Sequence, residues 1–256
     1  MIARQCAVDL NTDLGESYGA WRMGDDEALL SIVTSANIAC GFHAGDPLTI
    51  RRACAAAIAR GVSIGAQVSY HDLAGFGRRE MTVPAAELTA EVLYQIAALD
   101  GIARAEGGRV SYVKPHGALY NRAARDAGQA AAIVAAIRAY NSELSLLTLP
   151  GCVAAVEASA AGLSVVAEAF ADRAYNDDGT LVRRDQPGAV LADPDIVASR
   201  VVALVTGGSV ESVTGRPVRI LARSVCMHGD TPGAVTLARA VRGALEAAGV
   251  RLAPFA

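Results

Sequence analysis

No apolar run in this 256-residue chain approaches the ~20 residues that a membrane-spanning helix needs. The alanine-rich stretches are broken by Arg, Asp, Glu or Gly every few residues. The opening residues also lack the basic, apolar and small-residue succession of a secretory leader, so none is expected. The five cysteines (Cys6, Cys40, Cys54, Cys152 and Cys226) contain no CxxC pair, and their number is odd. A zinc ribbon or disulfide scaffold is therefore not expected, and reduced thiols in a cytoplasmic protein are the simplest reading. A basic surplus is missing too. The net charge is −3, which gives no support to nucleic acid or an anionic membrane as a partner. No linker rich in Pro, Ser or Gly divides the chain and no short repeat is visible, so residues 1–256 are expected to form a single domain. There is no GxxxxGK[ST] loop, so any nucleotide would have to be bound in another mode or by another chain.

What the chain has is a soluble globular composition, 52% hydrophobic and 19% charged. Seven times, a short β-rich run is followed by a helix-like stretch. Strands are expected near Gln5–Leu10, Ser35–Cys40, Val62–Ser69, Arg109–Lys114, Leu144–Leu149, Leu163–Ala169 and Arg219–Met227. Helices are expected near Asp25–Val33, Pro47–Arg60, Pro84–Glu106, Asp126–Tyr140, Cys152–Ala161, Pro194–Val205 and Pro232–Ala248. Asp46-Pro47, Asp193-Pro194 and Thr231-Pro232 read as an N-cap followed by Pro at the first helical position. Gly61, Gly107 and Gly249 read as C-terminal stops. Strict alternation implies parallel strands with right-handed crossovers. The longest irregular segment, Asp172–Asp193, is a candidate loop over a site.

Polar parity favours a closed barrel over an open sheet. Alternate strand residues face the same side. Asp9, Asn11 and Asp13 share one parity, as do Asn37, Gly41 and His43. The same holds for Gln67, Ser69 and His71, for Tyr112, Lys114 and His116, for Glu168, Phe170 and Asp172, and for Cys226, His228 and Asp230. If these faces point inward, every strand delivers polar groups to one lumen and its upper mouth. The expected fold is thus a seven-unit parallel (β/α) barrel. All four histidines, His43, His71, His116 and His228, lie at strand endings.

The endings carry recognisable chemistry. DLNTDLGE (Asp9–Glu16) sets three carboxylates around Asn11, a group that could hold a metal, orient a ligand or supply a general base. In CGFHAGD (Cys40–Asp46), two glycines flank His43 and allow close backbone approach. Asp46 reads as a helix cap, and Cys40 as a buried small side chain rather than a nucleophile. VKPHGALYN (Val113–Asn121) is the densest cluster. An inward Lys114 is expensive to bury unless it meets an anion, and His116 and Tyr120 follow it. GFGRR (Gly75–Arg79) could cradle an anion with backbone N–H groups and guanidinium. Asp172, Arg173 and Tyr175 open the long loop and could close over substrate, while His228 forms a second histidine wall.

With these segments in hand, the chain resembles the LamB/YcsF family, to which the A subunit of bacterial ATP-dependent 5-oxoprolinase belongs. DLNTDLGE, SANIACGFHAGD, GFGRR, VKPHGALYN, FADRAY (Phe170–Tyr175) and VCMHGD (Val225–Asp230) carry the resemblance in collinear order over nearly the whole chain. The resemblance implies a (β/α)-barrel variant related to polysaccharide-deacetylase-like folds. It also implies cleavage of 5-oxo-L-proline (pyroglutamate) to L-glutamate with ATP as co-substrate, in a complex with subunits B and C.

Asp13, His43, Lys114, His116 and His228 are the catalytic candidates. Asn11, Glu16, Gln67, Arg78, Tyr120, Asp172 and Arg173 are the substrate-binding candidates. Lys114 with Arg78 or Arg173 suits a cation facing phosphate. Asp13 suits the base, with His43 or His116 as alternatives, and His228 suits the acid. One departure stands out. Many relatives read GAHPS where this chain reads GAQVS (Gly65–Ser69), so Gln67 replaces a histidine, and His71 is the substitute within reach. No metal is assigned. Two other readings are a stand-alone metal-dependent deacetylase-like hydrolase, with Asp13, His43 and either His71 or His228 as ligands, and a non-enzymatic small-molecule-binding subunit.

Overall fold

The computed structural model describes residues 7–230 and 233–256. Expectations at Gln5, Cys6, Thr231 and Pro232 lie outside the described residues. In chain order the elements are β1 (Ala7–Leu14), α1 (Asp26–Leu30), β2 (Ser35–Ala39), α2 (Pro47–Ala59), β3 (Ser63–Val68) and α3 (Ala85–Ala105). Then come β4 (Val110–Pro115), α4 (Gly117–Ala123), α5 (Ala127–Tyr140), β5 (Ser145–Thr148), α6 (Val153–Ala160) and β6 (Val165–Phe170). The chain finishes with α7 (Pro194–Gly207), β7 (Ser209–Glu211), β8 (Pro217–Arg219), β9 (Ser224–Met227), α8 (Ala234–Ala247) and β10 (Arg251–Leu252).

Seven parallel strands close a barrel in the order β1-β2-β3-β4-β5-β6-β9, with β9 pairing back onto β1. Asp13 pairs with Asn37, Asn37 with Gly65, and Gly65 with Tyr112. This register sets the polar parity into horizontal layers inside the lumen. The opposite parity, with Leu10, Ile38, Ala66, Val113, Leu146, Ala169 and Val225, faces the surrounding helices and forms the main apolar core with them. Helix starts follow local chemistry. The side chains of Asp46 and Asp193 accept from the first free N–H groups of α2 and α7, each with Pro in the first turn.

The lower lumen is filled by Tyr112, Leu147 and Val166, with Phe255 packed against them. Gly65 makes room for the Tyr112 ring, since a Cβ there would sit 2.1 Å from it. The same floor holds Asp9, which accepts from Thr34, Ser35 and Ser224.

Four features differ from the sequence expectations. β1 continues through Asn11, Thr12 and Asp13, because the lumen supplies those side chains with partners. The expected strand Arg219–Met227 is split: Pro217–Arg219 pairs antiparallel with β7 outside the barrel, and the barrel strand resumes only at Ser224. The segment after His116 forms α4, with Gly117 at φ +59 turning the chain into it. A final short strand, β10, pairs with the start of β1.

Candidate active site

Polar side chains climb the lumen in two layers above the floor. In the middle layer, Asn11 Oδ1 accepts from Asn37 (2.7 Å) and from Lys114 Nζ (3.2 Å), and Asn11 Nδ2 donates to Ser224 (2.7 Å). Asn37 Nδ2 also donates to Asp13 Oδ1 at 2.8 Å, and Tyr112 OH donates to Asn37 Oδ1 at 2.7 Å. Lys114 Nζ lies 3.0 Å from Glu168 Oε2, 3.5 Å from Asp13 Oδ1 and 3.0 Å from Cys226 Sγ. Burial alone would depress this ammonium. Asp13, Cys226 and Glu168 reverse that and hold it well above the ordinary lysine value.

The upper layer is the mouth. Burial opposes ionisation of Asp13, but the Lys114 charge and His116 outweigh it and keep the carboxyl well below the usual range. Glu16 shows the reverse: burial, with Asp13 and Asp230 nearby, pushes its carboxyl well above the usual range. Two carboxyls of one strand-and-loop segment are thus pushed in opposite directions, Asp13 toward the charged form and Glu16 toward the neutral one. His43 and His116 stack at 4.2 Å and are both lowered by burial, His43 strongly. Gln67 connects Glu16, His43 and His116 through its carboxamide. On another wall, both Asp172 carboxylate oxygens lie 2.9 Å from His228 Nδ1. Burial opposes the Asp172 charge, and His228 holds the carboxyl below its ordinary value.

The GFGRR turn positions rather than cradles. Phe76 sits at φ +54, a backbone region side chains seldom occupy, and its carbonyl meets His116 Nε2 at 3.1 Å. The turn's own N–H groups are used internally: Gly77 N bonds Asp72 O and Arg78 N bonds Gly75 O. Arg79 pairs with Asp72. Arg78 reaches across the mouth to Asp230 at 2.5 Å, and Arg184 approaches the same carboxylate at 3.8 Å.

The sequence candidates separate as follows. Asn11, Asp13, Glu16, His43, Gln67, Lys114 and His116 come together in one buried lumen, and Asp172 and His228 line its mouth. Arg173 donates to the carbonyls of Ala189 (3.3 Å) and Val182 (2.5 Å), so its guanidinium ties down the loop it belongs to. Tyr120 is buried on the Phe170 side, with its hydroxyl facing the Glu168 carboxylate. His71 does not join the cluster. It is exposed and stacks on Phe42, because the chain has left the strand after Val68 and the parity slips. Glu168, Asn37 and Cys226 were not among the sequence candidates. Parity marks all three as inward, but only barrel closure brings them to Lys114.

A closed parallel α/β barrel that gathers titratable side chains at the C-terminal ends of its strands has the layout of a barrel enzyme. Residues 8–256 match the LamB/YcsF family, and the chain belongs to it. It is 62% identical over 249 residues to a protein from Streptomyces avermitilis named as the A subunit of 5-oxoprolinase, covering 97% of this chain and 100% of that one. A protein of the same name from Paracidovorax citrulli is 60% identical over 249 residues, covering 97% and 99%. Among solved structures, a lactam utilization protein from Thermus thermophilus superposes with a TM-score of 0.93 at 48% identity, covering 97% of this chain and 100% of that chain.

Proposed function

We propose that this chain is the A subunit of a multi-subunit, ATP-dependent 5-oxoprolinase that opens 5-oxo-L-proline to L-glutamate. Its partners are subunits B and C, its co-substrate is ATP, and its compartment is the cytoplasm. The relatives' names supply the reaction. The observation that carries it onto this chain is the pairing of an ionised Asp13, held by Lys114, with a separate Asp172–His228 couple at the same mouth.

An unstrained lactam resists water because amide resonance deactivates both the carbonyl carbon and the leaving nitrogen. Transfer of a phosphoryl group from ATP to the lactam oxygen removes that resonance. Water can then add to the ring carbon, and the C–N bond breaks once the nitrogen gains a proton. A second water hydrolyses the resulting γ-glutamyl phosphate to L-glutamate and inorganic phosphate. Asp13 is suited to take the proton from water, because Lys114 keeps it ionised. His228 is suited to protonate the ring nitrogen: Asp172 engages its Nδ1 and leaves Nε2 for the substrate. Lys114 already faces two carboxylates, so Arg78 and Arg184 at the rim are the better cations for an incoming carboxylate or phosphate. Because the sequence has no GxxxxGK[ST] loop, the phosphoryl transfer is assigned to the partner subunits.

The test is glutamate formation from isotopically labelled 5-oxo-L-proline by the chain with B and C, with and without ATP. Glutamate only in the complete mixture is expected. Efficient hydrolysis by the isolated chain without ATP would favour a stand-alone hydrolase. No glutamate from the complete mixture would leave a non-enzymatic binding subunit.

A further inference from the structure

Ligand-type atoms of Glu16, His43 and His116 all lie within 4.8 Å of one another. By residue type this is a zinc-like donor set. Its geometry says otherwise, because one side chain stands among all three. Gln67 Nε2 lies 3.1 Å from Glu16 Oε1 and 2.9 Å from His116 Nδ1, and Gln67 Oε1 lies 3.2 Å from His43 Nε2. We propose that the Gln67 carboxamide occupies the place of a cation in this cluster, closing it to metal and fixing the proton positions of both histidines.

The hydrogen bonds dictate where the protons sit. A primary amide has two N–H donors on nitrogen and an acceptor oxygen. The nitrogen can only donate, so His116 Nδ1 accepts and the ring proton sits on Nε2, which donates to Phe76 O at 3.1 Å. The oxygen can only accept, so His43 carries its proton on Nε2. That leaves His43 Nδ1 as a bare acceptor, buried without a partner among the described residues. A metal at these positions would displace the amide bonds one by one. A metal-bound histidine normally hands its other ring N–H to an acceptor, and His43 Nδ1 meets none among the described residues. The two rings also stack at an interplanar angle of 18°, so their in-plane lone pairs run side by side instead of converging on one ion. Gln67 is thus a positioning residue: it holds two neutral imidazoles in defined tautomers and leaves the His43 Nδ1 lone pair unshared. None of this depends on lactam opening being the reaction, since the readouts are metal content, melting and ring tautomer.

The full-length chain, Gln67→Glu and Gln67→Ala are each equilibrated with Zn²⁺, dialysed and assayed for metal, and melted with and without Zn²⁺. Wild type is expected to keep no stoichiometric zinc and to melt unchanged. Gln67→Glu, of equal length but with two acceptors, is expected to retain about one equivalent and to melt higher with zinc, an effect removed by adding His43→Ala. If Gln67→Glu folds only with zinc, the proposal is supported. If it folds in neither condition, zinc uptake by Gln67→Ala decides instead. Imidazole ¹⁵N shifts of wild type should show the Nε2–H tautomer on both rings, and Gln67→Ala should lose that uniformity. Stoichiometric zinc in wild type that His43→Ala releases would overturn the proposal. So would an Nδ1–H tautomer on His116, or a folded glutamate variant that takes no zinc.

Discussion

The ammonium of Lys114 lies 3.0 Å from the Glu168 carboxylate, with both side chains buried in the barrel lumen. Asp13 stands on the same ammonium at 3.5 Å. Removing only the lysine strands two carboxylates in a low-dielectric site. Lys114→Ala should therefore cost about 3–5 kcal/mol of stability as well as activity. The double variant Lys114→Met with Glu168→Gln removes one of the two stranded charges and should regain part of that stability. Its turnover in the reconstituted complex should stay about 10²–10³-fold down, because Asp13 has lost the charge that holds it ionised. Thermal melts beside steady-state rates check this. Recovery of turnover together with stability would reduce Lys114 to a structural role.

Asp172→Asn keeps the shape of the mouth but replaces a two-oxygen acceptor of His228 Nδ1 with an amide. The imidazole then loses its orienting charge. Glutamate formation should fall about 10²–10⁴-fold, with a smaller change in KM. The pH profile of kcat should change shape, and an unchanged profile would show that His228 does not transfer the proton.

Burial lowers His43 and His116 below the ordinary histidine value of 6.5. The folded chain then binds fewer protons than the unfolded chain below that value. The stability from each depressed histidine is present above about pH 6.5 and is lost as pH falls toward the folded value. Glu16 has the opposite sign. Its raised carboxyl contributes below the usual carboxyl value and loses that contribution as pH rises. The histidines contribute a loss of stability as pH falls from about 7 to about 5, and His43→Asn should make the change in melting temperature over that range less negative than in wild type. An identical slope in the variant would mean that His43 does not titrate in this way.

Gly65→Ala places a methyl 2.1 Å from the Tyr112 ring. The ring is packed against Phe255 at 4.8 Å and hydrogen-bonded to Asn37, so it has little room to retreat. The expected cost is about 1–3 kcal/mol, measured by denaturant unfolding. A variant as stable as wild type would show that the lower lumen is looser than its contacts indicate.

Legibility in the sequence followed the reach of local rules. Asp9, Asn11 and Asp13 could be placed on one inner face because strand alternation is local and strict. His71 could not, because alternation ends with the strand and only the turn after Val68 decides where that ring goes. The VKPHGALYN stretch read as a cluster of chemistry at a strand end, which hid α4. The hairpin β7–β8 was hidden because the β-rich run from Arg219 does not show where the chain leaves the barrel. Lys114 read as a hook for an anion. Its real neighbours, Glu168 and Cys226, come from strands that meet only when the barrel closes. Arg173 read as a hand for substrate, and the carbonyls of its own loop claim it instead.

The filled floor has a consequence for traffic. Tyr112, Phe255 and the Asp9 hydrogen-bond network stop the lower end of the lumen, so reactant and product share one doorway. Such a chamber serves one guest at a time. A partner seated on the doorway can pass in a water-sensitive intermediate without exposing it, but it must give way before glutamate can leave. Were a partner subunit to seat there, the pace of the assembly would be tied to how often that seal is broken, and too firm a grip on the rim would slow the very reaction it feeds.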